Sequence, residues 1–235
     1  MRKTLLTCLL FATTACFGQG IIPYHTSDAA TSAAPPSIAI IQGVPFPLEK
    51  YVRIAQGSPF FSDRWMNGKV LLQNGRISKD LPLRINLLEN EVNYLGPTGG
   101  EMVITEPMRY LVMVDSAGVE YSFLHGDQLT EDAVLKHVWF QVLIDSRVSL
   151  CKQVKKAVRE SKGYGSATTE QSIQTSDVFY VKSKGELIQI KNWDHLLKML
   201  DEKQVLVKQY CREHHLNGRS QNDYIELLTY YNNSL

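Results

Sequence analysis

Cysteine is scarce in this chain, charge is nearly balanced, and no apolar run reaches membrane length. Each shortage excludes a class of protein. Of four cysteines in 235 residues, Cys8 and Cys16 fall in the N-terminal apolar stretch, leaving Cys151 and Cys211. Two thiols cannot make a disulfide scaffold, and spacing alone does not say whether they pair. The 25 basic and 24 acidic residues give a formal charge of +1. That total supplies no field to hold nucleic acid or an anionic membrane surface. The apolar stretch at residues 4–11 is far shorter than the roughly 20 residues a membrane-spanning helix needs.

What stands at the N-terminus is a charged opening (Arg2, Lys3), a short apolar region and small residues up to Gly18. This is the build of a secretory signal peptide, with cleavage expected after Gly18 and export to the periplasm or beyond. Removing residues 1–18 leaves 23 basic against 24 acidic residues. The alternative is a lipoprotein cleavage site at Thr14-Ala15-Cys16 with lipid on Cys16, although Thr13 stands where such a site carries Leu. Residues 19–36 are rich in Ala, Ser, Thr and Pro and too poor in large apolar groups to offset chain entropy, so they read as a disordered leader.

Residues 37–191 read as an antiparallel β-meander, a curved sheet or partly open barrel. Residues 37–47 form a first edge-type segment, kept from a central place by Pro45 and Pro47. Apolar and β-branched runs at 69–72, 81–87, 92–95, 102–105, 110–114 and 119–124 alternate with Asn74-Gly75, Glu89-Asn90, a Gly-rich loop at 96–100, Glu106-Pro107 and a turn at 115–118. Such residues supply the backbone angles that hairpins need, so each interruption is expected to reverse the chain. Leu81, Leu83, Ile85 and Leu87 share one face, while Pro82, Arg84 and Asn86 point to the other. One face is therefore expected on a core and the other in water. Strands follow at 137–144 and 147–159, a solvated loop at 160–176, and a last hairpin turning at residues 183–185.

Near Asn192 the period changes from 2 to 3.6. Trp193, Leu196, Leu197 and Leu200 lie on one helical stripe behind an Asn192 cap. A second helix runs from about residue 202 to Asn217-Gly218, and a third opens at Ser220 with Asp223 three residues on. The class is α+β, with about three short C-terminal helices over residues 192–235 packed on the sheet.

The stretch from Gly57 to Tyr94, with Gly57-Ser58-Pro59-Phe60 at its head and Pro82-Leu83-Arg84-Ile85-Asn86 within it, and the terminal Tyr230-Tyr231-Asn232 carry a resemblance. Together they resemble an uncharacterised family of exported Bacteroidota proteins, over roughly residues 57–235. That family has no known activity, so the resemblance implies no catalytic residue.

Chemistry-bearing patterns are weak. Cys211 and His215 stand i, i+4 beside Glu213 and His214, but a metal site needs three or four converging ligands. Residues 163–167 lack the frame of a nucleophile elbow. Glu89 with Glu91, and Glu131 with Asp132, read as solvated turn acids. The basic run Lys152, Lys155, Lys156, Arg159 and Lys162 reads as the water-facing side of a strand that guards an edge, with a patch for phosphate, lipid headgroups or an acidic partner as the alternative. Phe60, Phe61, Trp65, Tyr224 and Tyr231 are expected in cores, with Tyr230 exposed off the stripe.

No catalytic, cofactor or metal residue is assigned. The expected function is a non-enzymatic binding or interaction module of the bacterial envelope. The alternatives are a carrier with a small apolar ligand in a cavity lined by Leu83, Ile85, Val112 and Leu124, and a hydrolase without a recognisable motif. The envelope protein or small apolar ligand is the partner; nucleic acid is not. Intact mass of the exported protein should begin at Gln19, and globomycin should leave the precursor pattern unchanged. A precursor that accumulates under globomycin places lipid on Cys16 instead.

Overall fold

The computed structural model describes residues 41–47, 51, 54–162, 169–200 and 203–235. The expected signal peptide, the leader and the 163–167 stretch lie outside them. Twelve strands join in one open, mainly antiparallel sheet, and three helices follow at the C-terminal end, as the change of period implies. The strands are β1 Gly43–Pro45, β2 Ile54–Gln56, β3 Met66–Leu72, β4 Ile77–Asn86, β5 Glu91–Leu95, β6 Glu101–Ile104, β7 Met108–Val114, β8 Glu120–His125, β9 Trp139–Ile144, β10 Ser149–Lys162, β11 Thr169–Ser183 and β12 Glu186–Gln189. The helices are α1 Trp193–Met199, α2 Gln204–Glu213 and α3 Gln221–Ser234.

The sheet departs from a simple meander at three points: β1 pairs with β6, β2 with β11, and β7 with β3. Its order is β1-β6-β5-β4-β3-β7-β8-β9-β10-β11-β12, with β2 lying parallel beside β11. Glu106-Pro107 therefore does not fold β7 back on β6; it carries the chain to the far edge of β3. In a flat sheet those two strands would stand four spacings apart, about 19 Å. Four Cα steps from Ile104 to Met108 reach at most about 14 Å. The sheet must therefore curl until the β6–β7 link meets the β3–β4 turn. Contacts confirm the closure: Gln73 N–H donates to Pro107 O at 2.8 Å, and Arg76 pairs with Glu106 at 3.0 Å.

Inside the curl the alternating residues make the main core. Val70, Leu83, Ile85, Val92 and Leu111 are fully buried there, with Phe123 and Trp139 closing one end. The opposite face of β4 to β6 is not in water. Phe46, Tyr51 and the segment 58–65 lie over it, so Phe46, Phe60 and Val103 form a second cluster and Asn86 and Asn93 are wholly buried. The polar identity of Arg84 and Asn86 suggested solvent because alternation reports which side a residue faces, not what covers that side.

The expected loop at 160–176 is also mostly strand. β10 and β11 stay paired from Ser149↔Lys182 to Lys162↔Thr169, leaving six residues between them. Thr, Ile and Val at alternate positions hold this ladder although its surface is polar.

The helices cover β10 and β11 through Leu150, Val181, Leu196, Val207, Leu227 and Leu228. Asn192 caps α1 by accepting the His195 N–H at 2.8 Å, and Ser220 with Asp223 caps α3. α2 ends one turn before Gly218. His215, at φ +56°, takes the left-handed position and the Leu216 N–H donates to Cys211 O at 2.9 Å, a Schellman stop. Asn232 anchors α3: its amide accepts the Val148 N–H and donates to Val148 O and Leu228 O, each at 2.9 Å.

Asn232→Ala removes the partner of two buried backbone groups and should cost about 1–3 kcal/mol in urea unfolding. Exposed Asn233→Ala should stay within about 0.5 kcal/mol of wild type. Equal effects would show that the amide pairing does not hold the helix.

Candidate functional site

The most heavily constructed polar cluster lies on the outer face of β4. Arg84 reaches Glu101 with one nitrogen 2.6 Å from both carboxylate oxygens, and Asn93 donates to the same carboxylate at 2.6 Å. The guanidinium lies 3.7 Å from the Phe60 ring centre and 4.6 Å from that of Trp65. Both charged side chains are about six-sevenths buried, at 14% and 13% exposure. Such a cation is compensated by its carboxylate and by ring quadrupoles, and its charge is closed to a further ligand. Around it, Phe61 N–H donates to Ile85 O and Leu87 N–H to Pro59 O, both at 2.9 Å. Asn86 accepts from Leu88 and Glu89 N–H and donates to Tyr51 Oη at 2.7 Å. The segments beginning at Gly57 and at Pro82 thus meet as a structural joint that fastens the covering strap to the sheet.

The other sequence candidates disperse. Cys211 faces the helical core, whereas His215 is exposed beyond the end of α2, so the i, i+4 face expected of them does not form. His214 stacks on Tyr210 at 3.9 Å and meets Glu226 at 3.0 Å. Among the described residues no three His, Cys, Asp or Glu side chains are grouped to hold a metal ion. Asp132 accepts the Leu135 and Val134 N–H groups, which hold its carboxyl below the usual range, in that order of weight. The same turn chemistry, led by the Val119 N–H, lowers Asp115. Tyr230, expected in water, is half-buried and stacks on Tyr210 at 3.8 Å. Leu83 and Ile85 sit in the packed inner core while Leu124 packs in the cluster of Phe140 and Tyr180, so those residues do not line one shared space.

One sequence feature gains a geometry that spacing alone did not show. β10 pairs with β9 only from Leu150 to Lys152, with a register irregularity between Leu150 and Cys151. From Gln153 to Lys162 it continues for ten residues with β11 on one side and, among the described residues, no strand on the other. β2 takes the corresponding outer side of β11, with Ile54 opposite Gln171, so the vacant edge belongs to β10. Lys152 is drawn inward to Gln221 at 2.8 Å and Asp177 at 3.6 Å. Lys156 donates to Thr175 at 3.0 Å; burial pulls its pKa down, against the opposing pull of Asp63 and Asp177. Lys155, Arg159 and Lys162 are exposed, as is Val158 at 43%. The ten edge residues hold four cations and one acid. A signal for this was present: residues 169–183 contain neither Gly nor Pro, so nothing there stops a strand.

No described helix is long and apolar enough to cross a membrane. The two remaining cysteines are free and buried. Burial pushes the Cys151 thiol up to about 12 from the ordinary 9.0, with Lys182 opposing the shift. In protein starting at Gln19, both thiols should resist a water-soluble disulfide reagent at pH 8 and react after unfolding. Between pH 9 and 12 the unfolded thiol ionises and the folded one does not, so stability should fall as pH rises through that window. Fast labelling of the folded protein would contradict the burial. Comparison with protein-family models, with curated proteins and with solved structures finds no match for this chain.

Proposed function

We propose that the protein is a non-enzymatic interaction module of the bacterial envelope, which takes an acidic, extended segment of a partner protein onto the free edge of β10. The observation that carries this reading is the ten-residue strand edge without a described strand partner, bearing four cations to one acid. A bare edge is a template for strand addition, which proteins ordinarily shorten, cover or charge. Charge of one sign decides what can join. A second copy pairing antiparallel through the same edge would set cations against cations, whereas an acidic strand would neutralise them. The secretory leader expected at residues 1–18 supports the envelope as the setting.

A photo-crosslinking amino acid at Ala157 should form an adduct in the producing cells. Its partner peptide should map to an Asp/Glu-rich segment. The combined Lys155→Glu, Arg159→Glu and Lys162→Glu variant should lose that adduct at unchanged circular dichroism. An adduct that survives charge reversal, or a yield no greater than from the same group at Gly75, overturns the reading.

A further inference from the structure

Lys152 leaves the rest of the basic run for a different set of neighbours. Its ammonium donates to Gln221 Oε1 at 2.8 Å and stands 3.6 Å from Asp177 Oδ2, and its side chain is 11% exposed. Three elements supply the three groups. Lys152 lies on β10, Asp177 on β11 and Gln221 at the start of α3, where Ser220 and Asp223 fix the first turn. Aromatic rings flank them. Phe179 is the partner of Lys152 across the ladder and stacks on Tyr224 at 4.7 Å, and Tyr224 follows Gln221 by three positions, on the same side of α3.

The grouping holds a nucleophile, an electrophilic carbonyl and a proton carrier. A carbonyl bond is about 1.23 Å long, so the Gln221 carboxamide carbon lies within about 4.0 Å of Lys152 Nζ. That is close to the roughly 3–3.5 Å of a near-attack pair, and reactants so held gain effective concentrations of about 10⁵–10⁸ M. We propose that Lys152 and Gln221 join in an isopeptide bond that the protein forms by itself. Asp177 accepts a proton from the ammonium, and the freed Nζ lone pair attacks Cδ to form the Nζ–Cδ bond. The Cδ–Nε2 bond then breaks as Asp177 returns the proton to the departing nitrogen. Net, an ammonium and a carboxamide become a secondary amide and an ammonium ion, with no change of oxidation state. Asp177, 42% exposed, opens the site to water and gives ammonia its way out. Gln221 is the electrophile because a carboxylate, being anionic, resists attack. The bond clips β10 to α3 across 69 positions and restricts the unfolded chain as a disulfide would, in a protein whose described cysteines stay single. It makes no use of the β10 edge beyond Gln153 and does not depend on the partner reading.

Tryptic digestion of protein purified from the producing cells reads the bond directly. Residues 148–155 should appear joined to residues 220–235, uncut after Lys152 and lighter by one ammonia, about 17 Da. Intact mass alone does not decide, since an N-terminal Gln19 also loses ammonia when it cyclises. Lys152→Arg keeps the cation but not the amine nucleophile, so it should abolish the joined peptide at unchanged circular dichroism. If that variant disturbs the fold, Gln221→Met removes the electrophile and supplies the same comparison. Asp177→Asn should slow appearance of the joined peptide about a hundredfold, followed after a pulse of labelled amino acid. Separate peptides 148–152 and 220–235 from the wild-type protein overturn the proposal. So does a link to Asp177, which would be lighter by one water, about 18 Da. An Asp177→Asn variant that forms the bond at the wild-type rate overturns it too.

Discussion

The three-residue link between β6 and β7 is the constraint on which the rest of the fold hangs. It is too short to cross a flat sheet, so β1-β6-β5-β4-β3-β7 must wrap around its own inner residues. Wrapping gives the sheet a buried face without help from any helix. The three helices are then free to build a separate core over the far end of β10 and β11. Two cores in one sheet explain why a chain with no structural disulfide among its described residues can order so much strand.

Curling also sets what happens outside. The convex face of β4 to β6 still presents apolar Val103 and the stem of Arg84, and the strap that leads into β3 covers them. An arginine suits that place better than a leucine. Its guanidinium reaches the Phe60 and Trp65 rings while it also meets Glu101 on the outer face of the sheet. Removing Glu101 alone would strand a buried charge, so the cluster behaves as one unit.

Much of this was legible in the chain. The helices were read from period and caps, because α-helical contacts are local and Asn192 and Ser220 announce themselves. Strand positions were legible from their turn residues: Gly75 and Gly118 adopt φ of +83° and +81°. Partner choice was not, since Glu106-Pro107 looks like any reversal and only the whole sheet decides where β7 docks. The β10–β11 arm escaped because a two-sided polar strand has the composition of a loop. As for sites, the basic run was visible but its edge was not. The cleft between the β9–β10 and β11–β12 turns joins segments about 38 residues apart, which no local pattern connects.

The charge on the arm has a consequence for what can bind it. Ordering ten residues of a floppy partner costs about 1–2 kcal/mol each, some 10–20 in all. An added strand would gain about ten backbone hydrogen bonds, two at every second residue pair, each worth a net 0.5–1.5 kcal/mol and some 5–15 in all. At central values backbone pairing alone therefore falls short of the ordering cost of a disordered segment. Exposed charge pairs contribute about 0–1 kcal/mol apiece, and Val158 offers one apolar contact. The sum closes with the widest margin for a segment that is already extended before it arrives, such as an edge strand of another folded domain. On the proposed reading, the cations that bar self-pairing would also favour a partner whose own edge is acidic and preformed.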